Sequence, residues 1–260
     1  MKRVIVMFLA VLMAVGAASA ATVWNPAGNT VNPGSQAWGD PDNWTGGAVP
    51  GTGDKVVYNV PDAADCQVSG SFSGMQIVQG DNGPGGTLSI LSGGVISTNP
   101  NQWTAIGYND LAHTIVDAGG SFTFGQHAWI GFGTGSNGTL DVSGYVRVNG
   151  MLGLGWNGGD GYVNVNDGGV LDLHQLHGDG SSSVKQNSLL SINGTGKILL
   201  PGDVTSMIAD YAANGLIAGN GIIGNVQVDV VDDSSIVTAV PEPATMLLLG
   251  LGGLLIRKRK

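Results

Sequence analysis

The residues best suited to chemistry in this chain are its carboxylates, and they are nearly all aspartates: among 19 acidic side chains Glu242 is the only glutamate. Asp141, Asp167 and Asp172 recur in neighbouring stretches of similar sequence. Two carboxyl groups about 5 to 10 Å apart are what glycoside hydrolysis needs. Elimination on an acidic polysaccharide needs clustered carboxylates for calcium and an Arg or Lys base. Arg147 is the one arginine between the two chain ends, and no basic residue neighbours it in sequence. Aspartate beside Gly or Asn is also a common turn residue, because its side chain bonds the backbone two residues on.

Other sets are weaker. His174 and His177 form His-x-x-His, but on a strand residues three apart point to opposite faces and chelate poorly. Gly158-Gly159-Asp160-Gly161-Tyr162 and Asn166-Asp167-Gly168-Gly169 resemble calcium-binding Gly/Asp turns without the full repeat spacing. Cys66 is the single cysteine, so no internal disulfide can form. No Ser-His-Asp order and no phosphate-cradling loop before a helix is present. The expectation is therefore no catalytic residue, no metal ligand set and no cofactor, with calcium at the Gly/Asp turns as the one ion to consider.

The elements that would carry these residues are short and repeated. Thr87-Leu88-Ser89-Ile90 is followed by Gly93-Gly94-Val95-Ile96, and the same order returns from Thr114, Thr139, Tyr162 and Leu190. Between these units lies a second motif, Ala105-Ile106-Gly107-Tyr108, Trp129-Ile130-Gly131-Phe132 and Gly153-Leu154-Gly155-Trp156, with a weaker copy at Gln175-Leu176-His177-Gly178. Alternating apolar residues put one face inward, and the glycines supply sharp corners. One unit cannot bury its own apolar face, whereas a stack can. The pattern predicts an all-β fold, a right-handed parallel β-helix (solenoid) of about 24-residue three-strand rungs. Antiparallel hairpins are the competing arrangement. The units resemble the Gly-rich repeats of bacterial surface and autotransporter-type passenger proteins.

Both ends of such a stack need covering, because an open rung is an aggregation edge. Trp24, Trp38 and Trp44 predict an N-terminal Trp-rich cap, with a sugar-stacking platform as the sharper alternative. Asp203 can N-cap a helix over 204–214, with Met207, Ile208 and Tyr211 on one face and Gly215 as its stop. Strands over 226–231 and 235–238 would follow. The organisation is then 1–20 a signal peptide, 21–80 an N-terminal β cap with the first rungs, 81–202 the solenoid, 203–238 a C-terminal cap of helix plus strands, and 239–260 a sorting and anchor segment.

The two ends are addresses. Lys2 and Arg3, an apolar run from Val4 to Val15 and Ala18-Ser19-Ala20 make an export signal cleaved between Ala20 and Ala21. At the other end Pro241-Glu242-Pro243 precedes the apolar run Ala244 to Ile256 and the cations Arg257, Lys258, Arg259 and Lys260. Thirteen apolar residues are short for a bilayer span, which takes about 20. The order of these three parts resembles the PEP-CTERM sorting signal of Gram-negative bacteria. The resemblance implies that an exosortase, a membrane transpeptidase, recognises Pro241, Glu242 and Pro243. It also implies a transmembrane tail whose basic end stalls the chain transiently in the inner membrane, before transfer to the cell surface or extracellular matrix.

Between the ends only Lys55, Arg147, Lys185 and Lys197 are basic, so four cations face eighteen aspartates, a formal charge of −14. Such a surface repels phosphate backbones, which excludes nucleic acid as a partner. The expected role is a non-enzymatic structural protein of the surface or of an exopolysaccharide-associated matrix. A carbohydrate-binding adhesin is the alternative, using Tyr108, Phe132 and Trp156, which follow glycine at one repeated position. A polysaccharide lyase or hydrolase on a β-helix is the second alternative.

Overall fold

A computed structural model of the chain describes residues 21–59, 65–176 and 183–241. The signal segment through Ala20, His177, Glu242, Pro243, the apolar tail and Arg257 to Lys260 lie outside the described residues. Among the described residues no helix is long and apolar enough to cross a membrane, and the expected transmembrane tail falls outside them.

The body is an all-β solenoid of about six turns, closed by a single short α-helix and a hairpin. Each turn has three faces, laid down as three strands in the early turns, whereas in the turns from Asn137 and Asp160 one strand spans the second and third faces. In the first complete turn the three strands are Cys66–Val68, Ser71–Ser73 and Gln76–Gln79; in the next they are Thr87–Ile90, Val95–Ser97 and Thr104–Ile106. The first-face strands form a sheet of 8 strands, and the second and third faces share a sheet of 13. The two faces are joined by strands such as Tyr145–Leu154, which runs across both and breaks register between Val148 and Met151. Pairing between turns is parallel throughout, in place of the hairpin alternative, until the C-terminal end.

Register explains the repeat. On the first face Cys66 pairs with Leu88, then Thr114, Leu140, Val163, Leu190 and Ile217, so one turn takes about 22 to 27 residues. All seven side chains in that column are 0 % exposed. A second column runs Phe72, Ile96, Phe122, Val146, Leu171 and Ile198. The third runs Gln79, Ile106, Ile130 and Leu154. These three columns meet inside, and period-2 alternation sends the intervening residues outward. The inner columns include a polar pair: Thr114 Oγ1 donates to Gln79 Oε1 at 2.5 Å, and Gln79 Nε2 reaches the His113 carbonyl at 3.3 Å. Buried polar atoms paired in this way avoid the cost of lost solvation.

The N-terminal end is plugged by indoles. Trp24, Trp38 and Trp44 are 0, 0 and 3 % exposed. Trp44 packs on Trp24 and Trp38 with ring centroids 4.9 and 4.8 Å apart. Its Nε1 donates to the Trp38 carbonyl at 2.7 Å. Burial this complete rules out a sugar-stacking role for these three rings.

At the other end the helix Thr205–Ala213 buries Ile208 and Tyr211. Asp203 Oδ1 accepts from the Thr205 N–H at 2.9 Å, and Gly215 follows with φ +73°. The Tyr211 hydroxyl accepts from the Ser183 N–H at 3.0 Å. Ser234–Ala239 pairs antiparallel with Lys197–Pro201 on one side and Val226–Val231 on the other. That reversal ends the parallel stack.

Candidate functional site

Glycine corners place a concentrated set of outward-facing aromatics. Gly107, Gly131 and Gly155 each end a third-face strand at φ +71°, +68° and +69°. That left-handed region strains any side chain. Space excludes one as well: a Cβ on Gly107 would come 2.6 Å from the Asn137 carbonyl, and one on Gly131 would strike the Asp160 carbonyl. The chain turns out of the core at each corner, and the next residue is Tyr108, Phe132 or Trp156. The inner column of the same turns is already filled by Ile106, Ile130 and Leu154, all 0 % exposed. The three aromatics are half-buried and stand outside the core.

They are brought together as the spacing implies, and two further rings join them. Tyr108 stacks on Phe132 with centroids 5.0 Å apart and 11° between planes. Trp103 extends this stack from the other side of Tyr108, at 5.3 Å and 18°. Trp129 meets Phe132 at 5.8 Å and 65°, and Trp156 at 5.3 Å and 46°. Its indole lies over Gly153, where a Cβ would sit 2.5 Å from the indole Cζ3. His127 flanks Trp129 at 5.9 Å, and its Nδ1 accepts from the Met151 N–H at 3.0 Å. Lys185 Nζ stands 4.2 Å from the Trp156 ring, a cation–π contact.

Among the described residues Trp103, Tyr108, Trp129, Phe132 and Trp156 line a cleft of about 380 Å³. Other surface hollows of similar size have mixed linings, such as the one around His113 and Thr139. Sequence reasoning missed Trp129 and Trp103 as members. Trp129 was legible, because the residue before inward Ile130 must face out. Trp103 sits in an irregular segment where no period applies.

The carboxylates are dispersed. Asp141 Oδ2 lies 2.8 Å from His113 Nε2, and its Oδ1 accepts from Asn164 at 2.7 Å. The His113 bond holds the Asp141 carboxyl below its ordinary range, against the opposing effect of burial. Asp172 sits on the second face, accepting from the Tyr145 hydroxyl and from Arg147 Nη1, each at 2.6 Å. Asp167 is at a corner, accepting from the Thr195 N–H at 2.9 Å and Oγ1 at 2.6 Å. Their stacking across rungs does not occur: each is spent on its own neighbour in an adjacent turn. Arg147, the lone candidate base, is tied to Asp172. His174 is exposed. Among the described residues no group of three or more His, Cys, Asp or Glu converges as a metal site. Burial pushes the Cys66 thiol far up, which makes it a core filler.

The expected trafficking residues that the structure describes, Ala21 and Pro241, flank the fold. Ala21 lies one residue before the first strand, Thr22–Val23, which pairs with Val56 and Val57. The last strand ends at Ala239, Val240 N–H donates to the Asn225 carbonyl at 2.9 Å, and Pro241 is exposed.

A family model of the PEP-CTERM protein-sorting motif matches residues 239–260. The chain therefore carries this motif, which indicates an exosortase-sorted protein exported from the cytoplasm. No curated protein and no solved structure matches the chain.

Proposed function

We propose that this chain is a non-enzymatic structural protein of the cell surface or extracellular matrix, delivered there by exosortase and acting as a stiff spacer. The observation that carries this reading is where the sorting motif sits. The match at 239–260 begins at the end of the last strand, so processing near Pro243 detaches the tail and leaves every rung in place. Cleavage before Ala21 likewise precedes the first strand. The folded body is thus a cargo that neither cut disturbs. Its rungs pair continuously along one axis, the arrangement that makes a solenoid rod-like. We take the coil to be right-handed, the sense in which parallel crossovers nearly always run. The dispersal of Asp141, Asp167 and Asp172 into separate surface pairs supports the non-enzymatic reading.

Replacing Pro241, Glu242 and Pro243 together by alanine tests the delivery. The variant is expected to accumulate in the inner membrane with its tail intact, while the native chain leaves it. Equal distribution of the two between membrane and surface fractions would remove the sorting reading.

A further inference from the structure

The aromatic cleft has features that a spacer does not require. All six tryptophans of the chain fall into two groups: three plug the N-terminal end, and three line this cleft. The first group is fully buried and closes the core, whereas the second stands half-exposed over strands whose inner faces are already packed. Large rings left outside a complete core give little to stability and much to recognition. The cleft also has the composition of a ligand site, predominantly aromatic and concave.

We infer that this cleft binds an uncharged polysaccharide chain. Sugar rings present flat C–H faces that stack on indole and phenol rings, and hydroxyls at their edges that need hydrogen-bonding partners. The rings supply the first requirement. Trp103, Tyr108 and Phe132 form one wall by stacking on each other; Trp129 is inclined to Phe132 by 65°, and Trp156 to Trp129 by 46°. Amides that could serve the second lie next to the rings in the chain: Gln102 precedes Trp103, Asn109 follows Tyr108 and Asn157 follows Trp156. From one turn to the next the rings step by 5.0 Å from Tyr108 to Phe132 and by 5.3 Å from Trp129 to Trp156, a ladder suited to an extended polymer. Charge selects the class. The five described lining residues are neutral, and the body around them is −14 in formal charge, which disfavours a polyanion even with Lys185 beside Trp156. Lys185 over Trp156 closes one end of the ladder. Gly153 is part of the site, because only a residue without Cβ lets the Trp129 indole lie flat across the next turn.

The test is isothermal titration calorimetry of the full exported chain with cellohexaose, mannohexaose and xylohexaose, and with polygalacturonate as the charged comparison. At least one neutral hexasaccharide is expected to bind, and Trp129→Ala and Phe132→Ala are each expected to weaken it at least tenfold. Tyr145→Ala, on the second face, should leave it unchanged. Circular dichroism melts of each variant establish that it is folded, and Trp129→Phe is the milder version if Trp129→Ala does not fold. Binding of polygalacturonate alone, no binding of any neutral sugar, binding untouched by the cleft variants, or burial of the cleft in a self-associated dimer would each overturn the assignment.

Discussion

At the scale of single residues the charged groups act as staples between turns. Asp141 illustrates this, taking His113 from the preceding turn and Asn164 from the following one. Its carboxyl is held low chiefly by the His113 bond. A carboxylate depressed in the folded state stabilises the fold above its unfolded range, near pH 4, and that contribution fades as pH falls through the folded value. Asp141→Asn is therefore expected to lower the melting temperature at pH 7, with the gap to the native chain narrowing as pH falls below about 4. Thermal melts across that range check this, and a gap independent of pH would contradict it. Arg147 and Asp172 make a closer contact at 2.6 Å, but with Arg147 47 % exposed the pair adds little.

At the scale of elements the corner glycines set the path of the coil. Gly131 combines φ +68° with a next-turn carbonyl where its Cβ would go. Gly131→Ala is expected to cost about 2 kcal/mol or more, since neither backbone strain nor the clash can relax without separating rungs. Urea unfolding monitored by circular dichroism measures this, and a change within about 0.5 kcal/mol would show that the corner is plastic. Much of this architecture was legible in the sequence because its causes are local. Thr139-Leu140-Asp141-Val142 shows which residues turn inward, and Gly131 before Phe132 shows where the chain leaves the core. Other features depend on long-range packing. The turn through Cys66–Val68 and Ser71–Ser73 has Ser69-Gly70 at its corner, where three later turns have Gly93-Gly94, Gly119-Gly120 and Gly168-Gly169, so its periodicity is harder to read. The antiparallel return of Ser234–Ala239 onto Lys197–Pro201 has no signature in either strand, because pairing direction is decided by which edge is left open. The dispersal of the aspartates follows from register, which sequence spacing alone leaves open.

At the scale of the whole molecule the proposed organisation is address, body and address. Indoles cover the N-terminal end of the body, and a helix with its hairpin covers the other. The aromatic cleft opens on one side of the stack, leaving both ends free of it. Pro241 emerges exposed beyond the last strand, where a membrane enzyme can reach it without unfolding the rungs. The central claim is that the body is released from the inner membrane at that point and works outside it. Mass spectrometry of the native C-terminal peptide, comparing surface and matrix fractions with membranes, tests this most directly. The account predicts a peptide ending near Pro243 in the surface or matrix fraction. An intact terminus at Lys260, found only in membranes, would contradict it.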